Sequence, residues 1–348
     1  MILKILWYNL FKFLIKCSLF FYTRRIIVKG KENIPQKGAV LFVVNHPNGL
    51  IDPLIVAVNN PRVQHFLVRA ASFKKPLIKR FLGSLNLMPI YRMRDGVKQL
   101  GNNKEVFEKC FTLLNNQNAL MIFPEGSHDK RRTIRTLSKG FSRIVFGTLE
   151  QNPALQIHII PVGLTYQNPS VYPSNVCLHY GTPILANDFY KPLIINSEIK
   201  RLKDVITSQM KTLSVHIPLD ENYEKTLDKL TAANVDFTEV EQVNSMITST
   251  IISGREKKVN LVSFIKPFIL LNSTIPWLIW KHTESKINEF EFIDTFRYGI
   301  NTITVSVNFI IQTYLVSYFY SWLSGIIYLA SSLLLILLYS KFHPNSAK

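Results

Sequence analysis

Ala39-Val40-Leu41-Phe42-Val43-Val44 is an unbroken apolar run, and it leads directly into Asn45-His46-Pro47-Asn48-Gly49-Leu50-Ile51-Asp52-Pro53. A short valine-rich run with no polar alternation predicts a strand buried on both faces, the pattern of a sheet covered by helices. Pro47-Asn48-Gly49 is turn chemistry. A histidine therefore sits where the strand ends, with an aspartate six positions further on. About eighty residues later the pattern recurs: apolar residues 119–123 precede Pro124-Glu125-Gly126-Ser127-His128-Asp129. Ionisable groups at strand ends are chemistry placed on a rigid scaffold.

Working outward, residues 65–69, 86–91, 156–166 and 176–180 read as further strands. Residues 53–58, 74–82, 97–115 and 139–149 read as helices between them. Such alternation predicts an α/β fold over residues 25–190, a mixed, mostly parallel sheet covered by helices. Residues 191–260 carry more charge and read as a helical extension. Residues 261–300 turn apolar again but hold Lys266, Pro267 and Pro276, which predicts an interfacial or re-entrant piece rather than a full span.

The ends of the chain point to a membrane. No charged residue occurs from Asn301 to Ser340, long enough for two helices of about 20 residues, with Arg297 and Lys341 at the flanks. The positive-inside bias favours a hairpin with both flanks on the cytoplasmic side, broken near residues 321–325, over one tilted span plus a loop. Residues 1–24 are apolar and aromatic but interrupted by Lys4, Lys12 and Lys16. They predict a helix lying in the interface rather than a cleaved leader, since no small-residue cleavage site follows. The net charge of +18 calls for an anionic partner. With apolar segments present and neither a zinc-finger spacing nor an RNA-binding aromatic signature, membrane lipid is favoured over nucleic acid. Cys17, Cys110 and Cys177 are too scattered for a disulfide framework or a metal site, which fits a reducing, cytoplasmic setting.

His46 is a plausible general base at neutral pH, and Asp52 can fix its tautomer and stabilise the imidazolium. No serine or cysteine lies in the same turn, so the nucleophile would be a hydroxyl of the substrate. Glu125 either stands solvated in a tight turn, hydrogen-bonds a polyol, or helps build the site, while amides near Gly126 could bind an anion. Most of the basic residues in 62–98 and 130–143, Lys139 included, read as a solvated face. Arg92, at the end of Met88-Pro89-Ile90-Tyr91, could take a phosphate bidentately.

Asn45-His46 through Asp52, Pro89-Ile90-Tyr91-Arg92, Phe123-Pro124-Glu125-Gly126 and Ile160-Pro161-Val162 resemble, in order, the four blocks of the glycerolipid acyltransferases. Residues 28–35 and 180–184 are similar to that family as well, so the resemblance covers roughly residues 25–190. It implies that His46 deprotonates an acceptor hydroxyl and that Asp52 orients it. Arg92 would bind the acceptor phosphate, Glu125 and Gly126 would hold the glycerol part, and Pro161 would shape the acyl or donor pocket. The donor would be acyl-CoA or acyl carrier protein, the acceptor a phosphorylated glycerol, and no metal or redox cofactor is implied.

Five residues separate His46 from Asp52 where the common family pattern has four. With Asn45-His46-Pro47-Asn48 and Ser127-His128-Asp129, this resembles a subgroup that includes fungal-type glycerol-3-phosphate acyltransferases. It leaves glycerol-3-phosphate and its 1-acyl product open as acceptors; residues 290–297 and the terminal hairpin resemble the same subgroup. Asn45, Ser127, His128 and Lys139 join the candidate substrate-binding residues. The expected function is a membrane-bound O-acyltransferase of phospholipid synthesis. Alternatives are acylation of an amino-acid-derived or glycan lipid, or a non-catalytic lipid-binding scaffold.

Overall fold

The computed structural model describes residues 2–91, 101, 103–249, 251–256, 260–287 and 292–344. In chain order, the chain begins with α1 (Ile2–Tyr22), β1 (Arg25–Lys29), β2 (Ala39–Val44), α2 (Ile51–Asn59), β3 (Gln64–Arg69), α3 (Pro76–Ser84) and β4 (Leu87–Ile90). There follow α4 (Asn103–Asn115), β5 (Ala119–Ile122), α5 (Gly140–Gln151), β6 (Ile157–Tyr166), β7 (Asn175–Tyr180) and β8 (Ile184–Leu185). The remainder is helical: α6 (Ile195–Leu213), α7 (Tyr223–Ala232), α8 (Val240–Ser249), α9 (Ile265–Asn272), α10 (Thr274–Glu284), α11 (Ile293–Phe319) and α12 (Trp322–Phe342).

The strands form one sheet in the order β1-β7-β6-β2-β5-β3-β4, with β8 pairing β6. Strands β2 to β6 run parallel, and β7 turns antiparallel against β6. The expected mixed, mostly parallel sheet is what forms. Strand β2 sits between β5 and β6 with all six residues buried. Successive residues of a strand face opposite sides, and this strand feeds two cores. Ala39, Leu41 and Val43 meet Val106, Cys110 and Leu114 of α4 and Phe141, Ile144 and Val145 of α5. Val40, Phe42 and Val44 meet Ile51 and Ile55 of α2 and Tyr8 and Leu19 of α1. Burial on both faces is why the run is continuously apolar.

Pro161 lies inside β6, where proline is normally excluded. It falls between the segment paired with β8, at His158 and Ile159, and the segment paired with β7, from Val162 onward. Its carbonyl accepts from Gly181 N, and no strand partner needs the amide hydrogen that proline lacks. Helix α6 packs Leu202, Ile206 and Met210 into the same core as β2, so the α/β unit runs past residue 190 into the expected extension. Helices α7 and α8 close a smaller core around Phe237 and Leu230.

Helices α11 and α12 form the expected hairpin, broken at Tyr320–Ser321, and each is long and apolar enough to cross a membrane. Helix α1 also meets that test by length and composition, but it lies along the domain. Trp7 Nε1 donates to Ser84 Oγ at 3.0 Å, Tyr8 Oη accepts from Gln64 N at 3.2 Å, and Lys12 Nζ donates to Asn60 O. Leu3, Leu6, Leu10, Phe13 and Phe20 face outward. The outward face of α1 is thus apolar. Helices α9 and α10, with 8 and 11 residues, are too short to span. Pro267 and Pro276 sit in their first turns, where a missing amide costs no hydrogen bond. The carbonyl of Asn272 at the break accepts from Asn308 Nδ2 and Gln312 Nε2 of α11, which satisfies the helix end.

Candidate active site

The parallel strands end on one side of the sheet, and the two ionisable stretches meet there. Strand β2 delivers His46, whose Nδ1 lies 2.8 Å from Asp52 Oδ2 on the first turn of α2. Asp52 is fully buried. Its Oδ2 also accepts from Asn48 N at 2.7 Å, and its Oδ1 accepts from Tyr166 Oη at 2.6 Å. Burial pushes the Asp52 carboxyl well above the ordinary carboxylate range. The hydrogen bonds from Tyr166 and Asn48 oppose that rise, and the Asp294 charge adds to it. With donors on both oxygens the site is arranged for a carboxylate, which favours the His46 tautomer protonated on Nδ1.

The imidazole is stacked on Phe123, centroids 4.1 Å apart at 22°, and meets His128 edge-on at 5.7 Å. The two stretches are also tied through the main chain, since Asp129 N donates to His46 O at 2.9 Å. Asn45 is buried, and its amide exchanges two hydrogen bonds with the main chain of Leu164, at 3.0 and 2.7 Å. In this structure both of its polar ends hold the strand end to β6.

Gly126 has φ +75°, the left-handed region that favours glycine, and its amide closes the turn on Phe123 O. Glu125 is paired with Arg135: Nη2 donates to Oε2 at 2.7 Å and Nε donates to the same oxygen at 3.1 Å. Arg135 Nη1 also donates to Ser127 Oγ at 2.8 Å, and Nη2 to the Ser127 carbonyl. Burial raises the Glu125 carboxyl while Arg135 holds it down. Of the readings open to Glu125, building the site is the one its contacts express. Lys139 stands exposed at the cap of α5, and Pro161 is buried three strand positions before the β6 residue that clasps Asn45. Arg92 lies outside the described residues. The structure thus brings together His46, Asp52, Asn45, Glu125, Gly126, Ser127 and His128.

Sequence reasoning missed five contributors. Tyr166 ends the β6 run and reads as one more core aromatic. Arg135 was hidden in a basic stretch. Tyr22, Asp294 and Thr295 come from the two ends of the chain. Tyr22 Oη and Asn48 Nδ2 both donate to Asp294, and Thr295 Oγ1 accepts from Leu50 N at 3.0 Å. The signal available for these was an acid and an arginine, Asp294 and Arg297, at the threshold of an otherwise uncharged apolar segment.

The His46–Asp52 pair stands at the strand ends of an α/β sheet, and the five residues between them include no serine, threonine or cysteine. The Acyltransferase family model matches residues 25–165. That match bears out the resemblance of the four sequence blocks. The chain is similar to glycerol-3-phosphate O-acyltransferases 1 and 2 of Saccharomyces cerevisiae. Identities are 26% over 115 residues, 32% of this chain and 15% of the relative, and 25% over 120 residues, 34% and 16%. The match therefore spans about one-sixth of the length of those relatives. A solved 1-acyl-sn-glycerophosphate acyltransferase, PlsC, from Thermotoga maritima aligns with TM-score 0.39 and 18% identity, over 54% of this chain and 72% of that one.

Proposed function

We propose that this protein is a membrane-bound O-acyltransferase of phospholipid synthesis. It moves a fatty acyl group from an acyl thioester, acyl-CoA or acyl carrier protein, to glycerol-3-phosphate or 1-acylglycerol-3-phosphate. The observation that carries the reading is the His46–Asp52 pair, buried on the Asp52 side and set at the strand ends of an acyltransferase domain.

Asp52 holds the Nδ1 proton, so Nε2 is the basic atom. Nε2 takes the proton of the acceptor hydroxyl as the oxygen attacks the thioester carbonyl. The C–S bond then breaks, and the departing sulfur takes the proton back from the imidazolium, which Asp52 stabilises in the interval. Phe123 stacking limits the ring to one plane. For the phosphate, Arg92 remains the proposed ligand. A small cleft beside the His46 turn is lined by Asn45, Pro47, Lys130, Arg131 and Arg132, with Arg131 paired to Asp129 and Arg132 donating to the carbonyls of Tyr166 and Gln167. The names of the two yeast relatives favour glycerol-3-phosphate as acceptor.

Membrane attachment is supported by the α11–α12 hairpin, the outward face of α1, and α3. Helix α3 exposes Leu77, Ile78 and Phe81 beside Lys79 and Arg80. Basic residues among apolar ones suit an anionic leaflet, and the positive flanks of the hairpin favour a catalytic domain on the cytoplasmic face.

The test is purified full-length protein in lipid, given labelled acyl-CoA or acyl carrier protein and a panel of acceptors. Labelled product with glycerol-3-phosphate or its 1-acyl form is expected. Product only with an amino-acid-derived or glycan lipid would move the acceptor, and no transfer from any donor would leave a lipid-binding scaffold.

A further inference from the structure

The loop between His46 and Asp52 is moulded on the root of the membrane hairpin. Asn48 is bonded at both ends. Its main-chain amide donates to Asp52 Oδ2 at 2.7 Å, while its side-chain Nδ2 donates to Asp294 Oδ2 at 2.7 Å and to Pro169 O at 3.2 Å. Both side-chain partners are acceptors, which fixes the orientation of the amide. The next residue, Gly49, has no room for a side chain, because a Cβ there would lie 2.9 Å from Thr295 Oγ1. Leu50 N donates to that same oxygen at 3.0 Å. The extra residue of the loop is thus absorbed against the first turn of α11.

We propose that Asp294 is a positioning residue for the catalytic pair: through Asn48 it fixes the loop that holds Asp52 against His46, and it makes acyl transfer depend on the root of the hairpin. The inference rests on the reading of His46 as the base.

Asp294 is itself braced from three directions. It is 4% exposed; Tyr22 Oη at the end of α1 donates to Oδ1, and Arg297 Nη1 lies 3.9 Å away. Arg297 in turn donates to Ser170 O at 2.8 Å, in the β6–β7 connection. A carboxylate suits this place because Asn48 and Tyr22 each need an acceptor oxygen. Its charge also acts on the pair. The titratable and charged groups around the His46–Asp52 pair and Asp294 are Glu125, His128 and Lys130 from the stretch after β5, Tyr166 from β6, Tyr22 from α1 and Arg297 from α11. Removing the Asp294 charge from that set makes the His46–Asp52 pair give up its proton at lower pH.

The test compares wild type with Asp294→Ala, Asp294→Asn and Thr295→Val, all full-length in lipid, with glycerol-3-phosphate and acyl-CoA. Asp294→Ala is expected to lower kcat by about 10- to 100-fold, as small misplacements of reacting groups do, with the KM for acyl-CoA within about threefold. Asp294→Asn, which keeps one acceptor, should recover part of kcat. In both variants the acid limb of kcat/KM should move to lower pH. Thr295→Val keeps the charge, so it should lower kcat severalfold without moving that limb. Wild-type kcat in Asp294→Asn and Thr295→Val, or an unmoved acid limb in Asp294→Asn, overturns the proposal. Should Asp294→Ala fail to fold, the other two variants decide. Histidine 15N NMR gives a readout independent of turnover: the His46 titration should move to lower pH in Asp294→Asn, and an unchanged titration overturns the inference. A wild type without acyl transfer, or a fully active His46→Ala, sinks the functional reading instead, and the NMR titration still decides the role of Asp294.

Discussion

Replacing Asp52 by asparagine removes a charge while leaving the hydrogen bonds a way to survive. The asparagine oxygen can take the place of Oδ2 and keep His46 Nδ1 and Asn48 N as donors. Its NH2 then faces Tyr166 Oη, which can turn from donor to acceptor. What is lost is the negative charge beside the imidazolium that forms during transfer. Two unit charges about 4 Å apart at an effective dielectric constant near 20 interact by roughly 4 kcal/mol. At about 1.4 kcal/mol per decade, that is a loss of about 10³ in kcat.

Stability should move the other way or not at all. Burial raises the Asp52 carboxyl above its ordinary 3.8, so keeping it ionised costs the folded state stability. The wild type therefore loses stability as pH rises from that value through the raised one. Asp52→Asn escapes this loss, and its melting temperature at pH 7 should equal or exceed that of the wild type. Initial rates with labelled acyl-CoA, paired with thermal unfolding at pH 5 and pH 7, measure both. A variant within about threefold of wild-type kcat would refute the electrostatic role. A variant that loses activity only because it melts early would make the carboxylate structural.

Three further outcomes follow from the geometry. Glu125→Ala strands Arg135, a half-buried guanidinium, with only Ser127 to bond; breaking such a pair costs about 3 kcal/mol, readable by denaturant unfolding, and an unchanged midpoint would contradict the clamp. His216 Nδ1 lies 3.1 Å from Ile134 N, which donates to it, and burial with Lys211 nearby lowers the ring to about 4. Its contribution is complete above pH 6.5 and lost as pH falls toward 4, about 1–2 kcal/mol once solvent screening is allowed for, and His216→Gln should flatten that part of the stability profile. In Gly163→Ala the new Cβ would sit 2.2 Å from Leu213 O, a backbone atom; forcing β6 and α6 apart costs about 1–3 kcal/mol or more, and a melting temperature equal to wild type would show that α6 yields freely.

Much of the fold could be read from the chain because β2 and β5 are buried on both faces, and such strands announce themselves as unbroken apolar runs. Strand β1 could not. Arg25 and Lys29 bracket Ile26, Ile27 and Val28, since an edge strand paired only with β7 tolerates charge at its ends. Pro267 and Pro276 signalled interruption, and they mark helix starts. At the site, His46, Asp52 and the Glu125–His128 turn were visible because turn chemistry sits beside ionisable groups in one stretch. Tyr166 and Arg135 were not, because each looks like its neighbours: one aromatic in a core strand, one arginine in a basic loop. Asp294 lies 242 positions beyond Asp52, and only the folded hairpin brings it to Asn48. Local pattern carries no information about a contact made at that separation.

The most direct measurement is acyl transfer from labelled acyl-CoA to glycerol-3-phosphate by wild type and His46→Ala, each full-length, folded and in lipid. A general base contributes about 10²- to 10⁴-fold. The wild type should form acylated product and His46→Ala should fall by at least the lower figure with its melting temperature preserved; near-equal rates in the two proteins would contradict the account.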